Sequence, residues 1–301
     1  MKNRHVNVVL IIIILSGILF RLCVSIDVRE HRYQWWYENI TGNCNTNTID
    51  LKKVRPIKVA IIDTCINMCH KDLQTAKLNK SYVLNGCYES DIKNRIHGTA
   101  IAGVIAAEPA DCKGLIGIAD TENVEIISIC AAKNNAADIE TLVKCIDIAI
   151  AENVDIINMS IGVKRDSTVL HNAIKKAYKN NILIISAIGN DQQCLYPAAY
   201  AEVLRIGSMD INGNIKNRID LPAVYLPGED IVTTSYGECY NSLSGSSISC
   251  GIMAGIMATA LAYFKNVKVE SIIEVLYSDG FQEHNGKINL NNVLQNLKEV
   301  I

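Results

Sequence analysis

Five short runs of Ile and Val recur along the chain: "KVAIID" (58–63), "VEIISIC" (124–130), "VDIINMSI" (154–161), "ILIISAIG" (182–189) and "VLRIGS" (203–208). Several are apolar nearly throughout rather than alternating, so strands made from them need cover on both faces. Helical patterns fall between them. "DIETLVKCIDIAIAEN" places Ile139, Leu142, Val143, Ile146 and Ile150 on one face at helical spacing. "STVLHNAIKKAYKNN" opens with Ser/Thr cap candidates and turns Leu170, Ala173, Ile174 and Ala177 inward. The alternation implies an α/β fold, a mostly parallel doubly wound sheet with helices on both faces. It runs from residue 55 to residue 301 with no low-complexity linker and no internal repeat, so this stretch reads as one domain.

The remaining N-terminal part differs. Lys2, Arg4 and His5 precede an apolar run from Val8 to Phe20, which ends at Arg21. Residues 1–25 therefore read as a signal peptide or an N-terminal membrane anchor. No clear small-x-small cleavage site follows, which favours the anchor. The positive flank would stay inside and the rest would be exported. Arg21 in "FRLC" argues against lipidation at Cys23. Residues 26–54 form a polar lead-in containing "YQWWYENI". The balance of 29 basic and 31 acidic residues, with no basic stripe interleaved with aromatics, argues against nucleic-acid binding. Eleven cysteines are many for 301 residues, and in an exported protein some pair. No C-x-x-C pair occurs and no His/Cys cluster stands at zinc spacing, so zinc is not expected.

In open α/β sheets ligands gather at the carboxyl ends of the strands. Asp63 ends the first run, and "NMSIG" and "SAIGND" end the third and fourth. A carboxylate beside an apolar strand is costly unless it is paired. "HGTAIAGVIAA" (97–107) places a His at the start of a small-residue helix. "SGSSISCGIMAGIMA" (244–258) places Ser247 before a helix with Gly251, Ala254, Gly255 and Ala258 on one face. That face permits close helix approach, and the helix N-terminus favours an anion. Taken singly, these residues have ordinary roles as caps and turns.

Taken in order, "VAIIDT", "HGTAIAG" and "SGSSISCGIMAG" resemble the three signature motifs of the subtilisin-like serine proteases, whose known chain order is Asp, His, Ser. "IINMSIG", "ILIISAIGND", "YPAAYAEVLRIGS" and "PGEDIVTTS" resemble further segments of that family, and the resemblance covers roughly residues 55–295. It implies a serine endopeptidase acting through an acyl-enzyme. Ser247 would be the nucleophile, His97 the general base and then acid, and Asp63 the residue that orients the imidazole. Asn190 and the Ser247 N–H would hold the oxyanion. Ser160, Ile161 and Gly162 would pair with an extended protein or peptide substrate. With Ala187, Ile188 and Gly189 they would wall the specificity pocket. The Tyr196–Pro197 bond is often cis in the family.

Some residues depart from the family pattern. Cys65 replaces a usual Gly. It either sets a thiol beside His97 or packs as a small buried side chain, the reading favoured here. Ile248-Ser249-Cys250-Gly251-Ile252 lacks the usual Thr-Pro-His, and Ser246 stands where Thr is common. Residues 26–55 are too few for the usual folding chaperone segment, so the domain would fold unaided or with a separate chain. No cofactor is called for. Calcium as a structural ion is left open, because "AEPADCKG" (107–114) has few carbonyl-type side chains. Ile188, where a small residue is usual, points to a restricted pocket. The catalytic domain would be membrane-anchored or secreted, and would process an exported precursor. Two other readings exist. One is an inactive subtilase-like peptide-binding module, which the four intact residues argue against. The other is a nucleotide-binding enzyme, which lacks a G-x-G-x-x-G after the first strand.

Overall fold

The computed structural model describes residues 34–41, 55–74, 77–84, 93–109, 114–132, 136–191, 194–264, 266–278 and 288–299. The apolar runs become the middle of a seven-stranded sheet: β1 (Ile57–Asp63), β2 (Lys77–Val83), β3 (Val124–Cys130), β4 (Ile156–Met159), β5 (Leu183–Ala187), β6 (Leu204–Met209) and β7 (Val224–Pro227). The spatial order is β2-β3-β1-β4-β5-β6-β7, and every pairing is parallel. The first strand lies between β3 and β4, so the chain order reverses around it. This is the switch point where a doubly wound sheet opens a crevice.

Helices cover both faces, as the uninterrupted apolar strands require. On one side α3 (Ile139–Ala151) and α4 (Thr168–Lys179) pack over Ile62, Ile127, Ile157 and Ile184. Each has a side-chain cap: Asp138 accepts from the Thr141 N–H and Ser167 from the Leu170 N–H. On the other side lie α2 (Lys93–Ala106), α5 (Ser246–Tyr263), α6 (Val269–Tyr277) and α7 (Leu290–Glu299). A short α1 (Trp35–Thr41) in the lead-in buries Trp36 and Ile40 in that second layer. A small antiparallel pair, β8 (Ile231–Thr234) and β9 (Tyr240–Leu243), stands apart from the main sheet. By length and composition α5 could cross a membrane, but its residues are mostly buried in the core. The apolar N-terminal run lies outside the described residues.

Two packing features place the site. The small-residue face of α5 meets α2. A β-carbon added at Gly251 would stand 2.7 Å from Val104 Cγ2, and one at Gly255 would stand 2.8 Å from Ile118 Cβ. The start of α2 also rests on the loop after β1, because a β-carbon at Gly98 would stand 2.1 Å from the Thr64 carbonyl oxygen. Glycine at these contacts brings two helices and a strand end together. Gly251→Val should therefore lower stability by about 1–3 kcal/mol through overpacking against Val104. A urea midpoint equal to that of the parent would contradict this.

Candidate active site

Asp63 closes β1, an interior strand of the sheet, and is fully buried. Its Oδ1 accepts the Thr64 N–H at 2.6 Å and faces His97 Nδ1 at 2.7 Å. A nitrogen that close to a carboxylate carries the proton, which leaves Nε2 as the acceptor in neutral imidazole. His97 lies in the second turn of α2, which begins at Lys93 rather than at the His itself. Burial pushes the His97 pKa down, but the charge of Asp63 and its hydrogen bond together outweigh burial and hold it above the ordinary histidine value. Thr64 helps to fix the geometry, since its hydroxyl accepts the Gly98 N–H at 2.7 Å.

Ser247 is the second residue of α5 and is half-buried. Its hydroxyl donates to the Ser160 carbonyl at 3.0 Å and makes no hydrogen bond to His97. The N–H of Ser247 belongs to the first helical turn, where no intrahelical acceptor exists. Asn190 follows the end of β5 and lies over the start of α5. Its Oδ1 accepts the Ser246 N–H at 3.1 Å and the Ser246 hydroxyl at 3.2 Å. Both amide hydrogens of Asn190 are thereby left for another acceptor. Gly245 makes this approach feasible. It has φ +135°, and a β-carbon there would stand 2.8 Å from Asn190 Nδ2.

Beneath Ser247 lies a polar floor that the sequence did not signal. Cys250 donates to Asn158 Oδ1 at 3.2 Å, and Asn158 donates to the Ser160 hydroxyl at 3.1 Å. The Ser160 hydroxyl in turn donates to the Ser247 carbonyl at 3.0 Å. Burial pushes the Cys250 thiol up to about 12, so it is a donor and not a nucleophile. Ser246 is a second missed residue. It receives the Gly189 N–H at 3.2 Å and ties the 189–190 segment to the helix start.

Ser160, Ile161 and Gly162 extend from β4, and Ala187, Ile188 and Gly189 lie beside them at the end of β5. Ile188 is buried with its Cδ1 toward Gly207, where an added β-carbon would stand 2.9 Å away. The Tyr196–Pro197 bond is cis.

Cys65 is neither a thiol nor a lone packing side chain, because it forms a disulfide with Cys130 at the end of β3. Both cysteines are buried, and Cys130 stands opposite Asp63 in the β1–β3 register. The spacing could not have revealed a partner 65 residues away. Cys239 is also disulfide-bonded, while Cys69, Cys194 and Cys250 form no disulfide. Asp72 lies against Gly114 at the end of the 107–114 loop, of which residues 110–113 lie outside the described residues. That carboxylate is buried, with Oδ2 accepting the Leu115 N–H and the Tyr240 hydroxyl and Oδ1 without a partner. Calcium takes six to eight oxygen ligands. Among the described residues no group of three His, Cys, Asp or Glu side chains could hold a metal ion.

A parallel sheet with an acid–imidazole pair and a helix-borne serine at its carboxyl rim is the arrangement of a serine hydrolase. The chain belongs to the subtilase family, whose match spans residues 55–287, and it is a serine-type endopeptidase. It is 32% identical over 227 residues to the major intracellular serine protease of Bacillus subtilis (strain 168), covering 70% of each chain. It is 30% identical over 249 residues to subtilisin DY of Bacillus licheniformis, covering 78% of this chain and 89% of that one. Among solved structures, the prenylagaramide maturation protease PagA matches with TM-score 0.68 at 23% identity, covering 82% of this chain and 95% of that chain. The self-cleaved protease domain of PatA matches with TM-score 0.69 at 24% identity, covering 82% and 98%. These last two likenesses concern the fold.

Two histidines, the half-buried His97 and the buried His70, should titrate in opposite directions. His97, held above the ordinary value of about 6.5, stabilises the fold fully below that pH and loses its contribution as pH rises through its folded pKa. His70 is held below it, chiefly by burial. Its contribution is present above about pH 6.5 and is lost as pH falls through its folded pKa. Imidazole NMR should show His97 titrating above and His70 below the free value. In Asp63→Asn the His97 pKa should drop below it, since burial then acts alone. An unchanged His97 titration in that variant would contradict the assignment.

Proposed function

We propose that the protease works through Asp63, His97 and Ser247, with Asn190 and the Ser247 N–H as the oxyanion donors. The observation that carries this is the 2.7 Å contact between the buried Asp63 carboxylate and His97, made at the end of β1 beside β4, whose following Ser160 carbonyl accepts the Ser247 hydroxyl. Ser247 Oγ attacks the peptide carbonyl while its proton passes to His97 Nε2. The resulting imidazolium is stabilised by Asp63 and then protonates the leaving amine. Water attacks the acyl-enzyme by the same route in reverse. For this the Ser247 hydroxyl must turn from the Ser160 carbonyl to the imidazole, a rotation about one side-chain bond. Catalytic hydrogen bonds are often loose before substrate binds.

The substrate in this reading is an extended segment of an exported protein or peptide precursor, and the enzyme is membrane-anchored or secreted. Support comes from the basic and apolar N-terminus and from the disulfides, which persist in oxidising compartments. PagA, the prenylagaramide maturation protease, lends the processing role an analogy. No structural ion is invoked. The orientation of the Ser247 hydroxyl also favours a second reading, an inactive peptide-binding module.

A serine-directed fluorophosphonate separates the two. It should label the parent protein and not Ser247→Ala, and a folded parent that resists labelling would leave only the binding module. Asn190→Ala should lower kcat by about 10²–10³-fold, the scale known for the matching donor in subtilisin itself. A loss below about threefold would remove Asn190 from the oxyanion site.

A further inference from the structure

We propose that Leu195 fills the specificity pocket, so that the enzyme cuts after glycine, alanine or serine. This rests on the protease reading above. The two pocket walls each carry a glycine, Gly162 and Gly189, where a substrate side chain would enter between them. The same side chain already sits against both. A β-carbon at Gly162 would stand 3.0 Å from Leu195 Cβ and 3.5 Å from Leu195 Cδ1. One at Gly189 would stand 2.8 Å from Leu195 Cγ and 2.9 Å from Cδ1. The isobutyl group therefore lies between the two walls.

The plug is held in place by its backbone. The Leu195 N–H donates to the Ile188 carbonyl at 2.9 Å, which joins it to one wall. The next residue, Tyr196, exchanges hydrogen bonds with Val163 beyond the other wall, at 2.9 and 2.8 Å. The ion pair of Lys164 with Asp191 links the two loops that follow these walls. A bulky substrate side chain could enter only by displacing Leu195, which is anchored from both sides. Ile188 points toward Gly207 instead, so the restriction comes from Leu195.

The test is a peptide library varied at the residue before the cut (P1), with kcat/KM measured for the parent and for Leu195→Ala. The parent should cleave after Leu, Met or Phe at least about tenfold more slowly than after Ala. In Leu195→Ala the ratio of Phe to Ala cleavage should rise by about 10–200-fold. If that variant does not fold, Leu195→Val removes one methylene group and should raise the ratio by a smaller factor. Equal cleavage after Phe and Ala by the parent, or an unchanged P1 profile in the folded variants, would overturn the proposal. Fluorophosphonate labelling of the same samples distinguishes the failures. No labelling removes the protease reading itself, whereas labelling with a broad P1 profile removes only the role of Leu195.

Discussion

A charge inside an apolar sheet is the constraint on which this architecture turns. Asp63 ends the interior strand β1 with no solvent exposure, and its Oδ2 has no hydrogen-bond partner. An isolated carboxylate in such a place is strongly disfavoured. The compensation is local: the Thr64 N–H and the His97 imidazole both turn to Oδ1. For His97 to reach it, α2 must press its backbone onto the loop after β1, and Gly98 allows that contact. For α5 to stand beside α2, Gly251 must present no side chain. The electrostatic demand at one residue thus fixes the spacing of two helices.

The rim is rigid because its parts are bound to one another below the surface. The Asn158, Ser160 and Cys250 side chains join β4 to the first turn of α5, and Ser246 joins that turn to the segment after β5. Thr233 and Thr234 of the small hairpin donate to carbonyls of α2. A hydroxyl mounted on such a base can rotate about its own side-chain bond while hydrogen bonds hold the backbone that carries it. That division would suit the nucleophile proposed at Ser247, which must turn from the Ser160 carbonyl to the imidazole.

The sequence made some of this legible. The inner strands were readable because they are buried on both faces, a pattern that polar or partly exposed segments do not give. The edge strand "KLNKSYV" and the short β7 carry no such signal, and neither was anticipated. The helix "DIETLVKCIDIAIAEN" was readable through its stripe and its capping Asp138. The beginning of α2 was misplaced, because "KNRI" supplies no cap to mark it. The pairing of Asp63 with His97 could be suspected only through the family resemblance, since spacing alone does not join residues 34 apart. Leu195 and the Cys65–Cys130 bridge left no local trace. Each acquires meaning only from groups that folding brings to it.

The long loops that close around the rim also set when it can exist. Hydrogen bonds that shape it span 87 residues between Ser160 and Ser247 and 135 between Thr99 and Thr234. Non-local contacts form slowly, because loop closure must precede any gain from them. While the chain is emerging, β1 can already pair with β3 and β4, but the alcohol on α5 has not yet arrived. On the proposed roles, hydrolytic competence is therefore acquired late, and a nascent copy remains inert until α5 itself is in place.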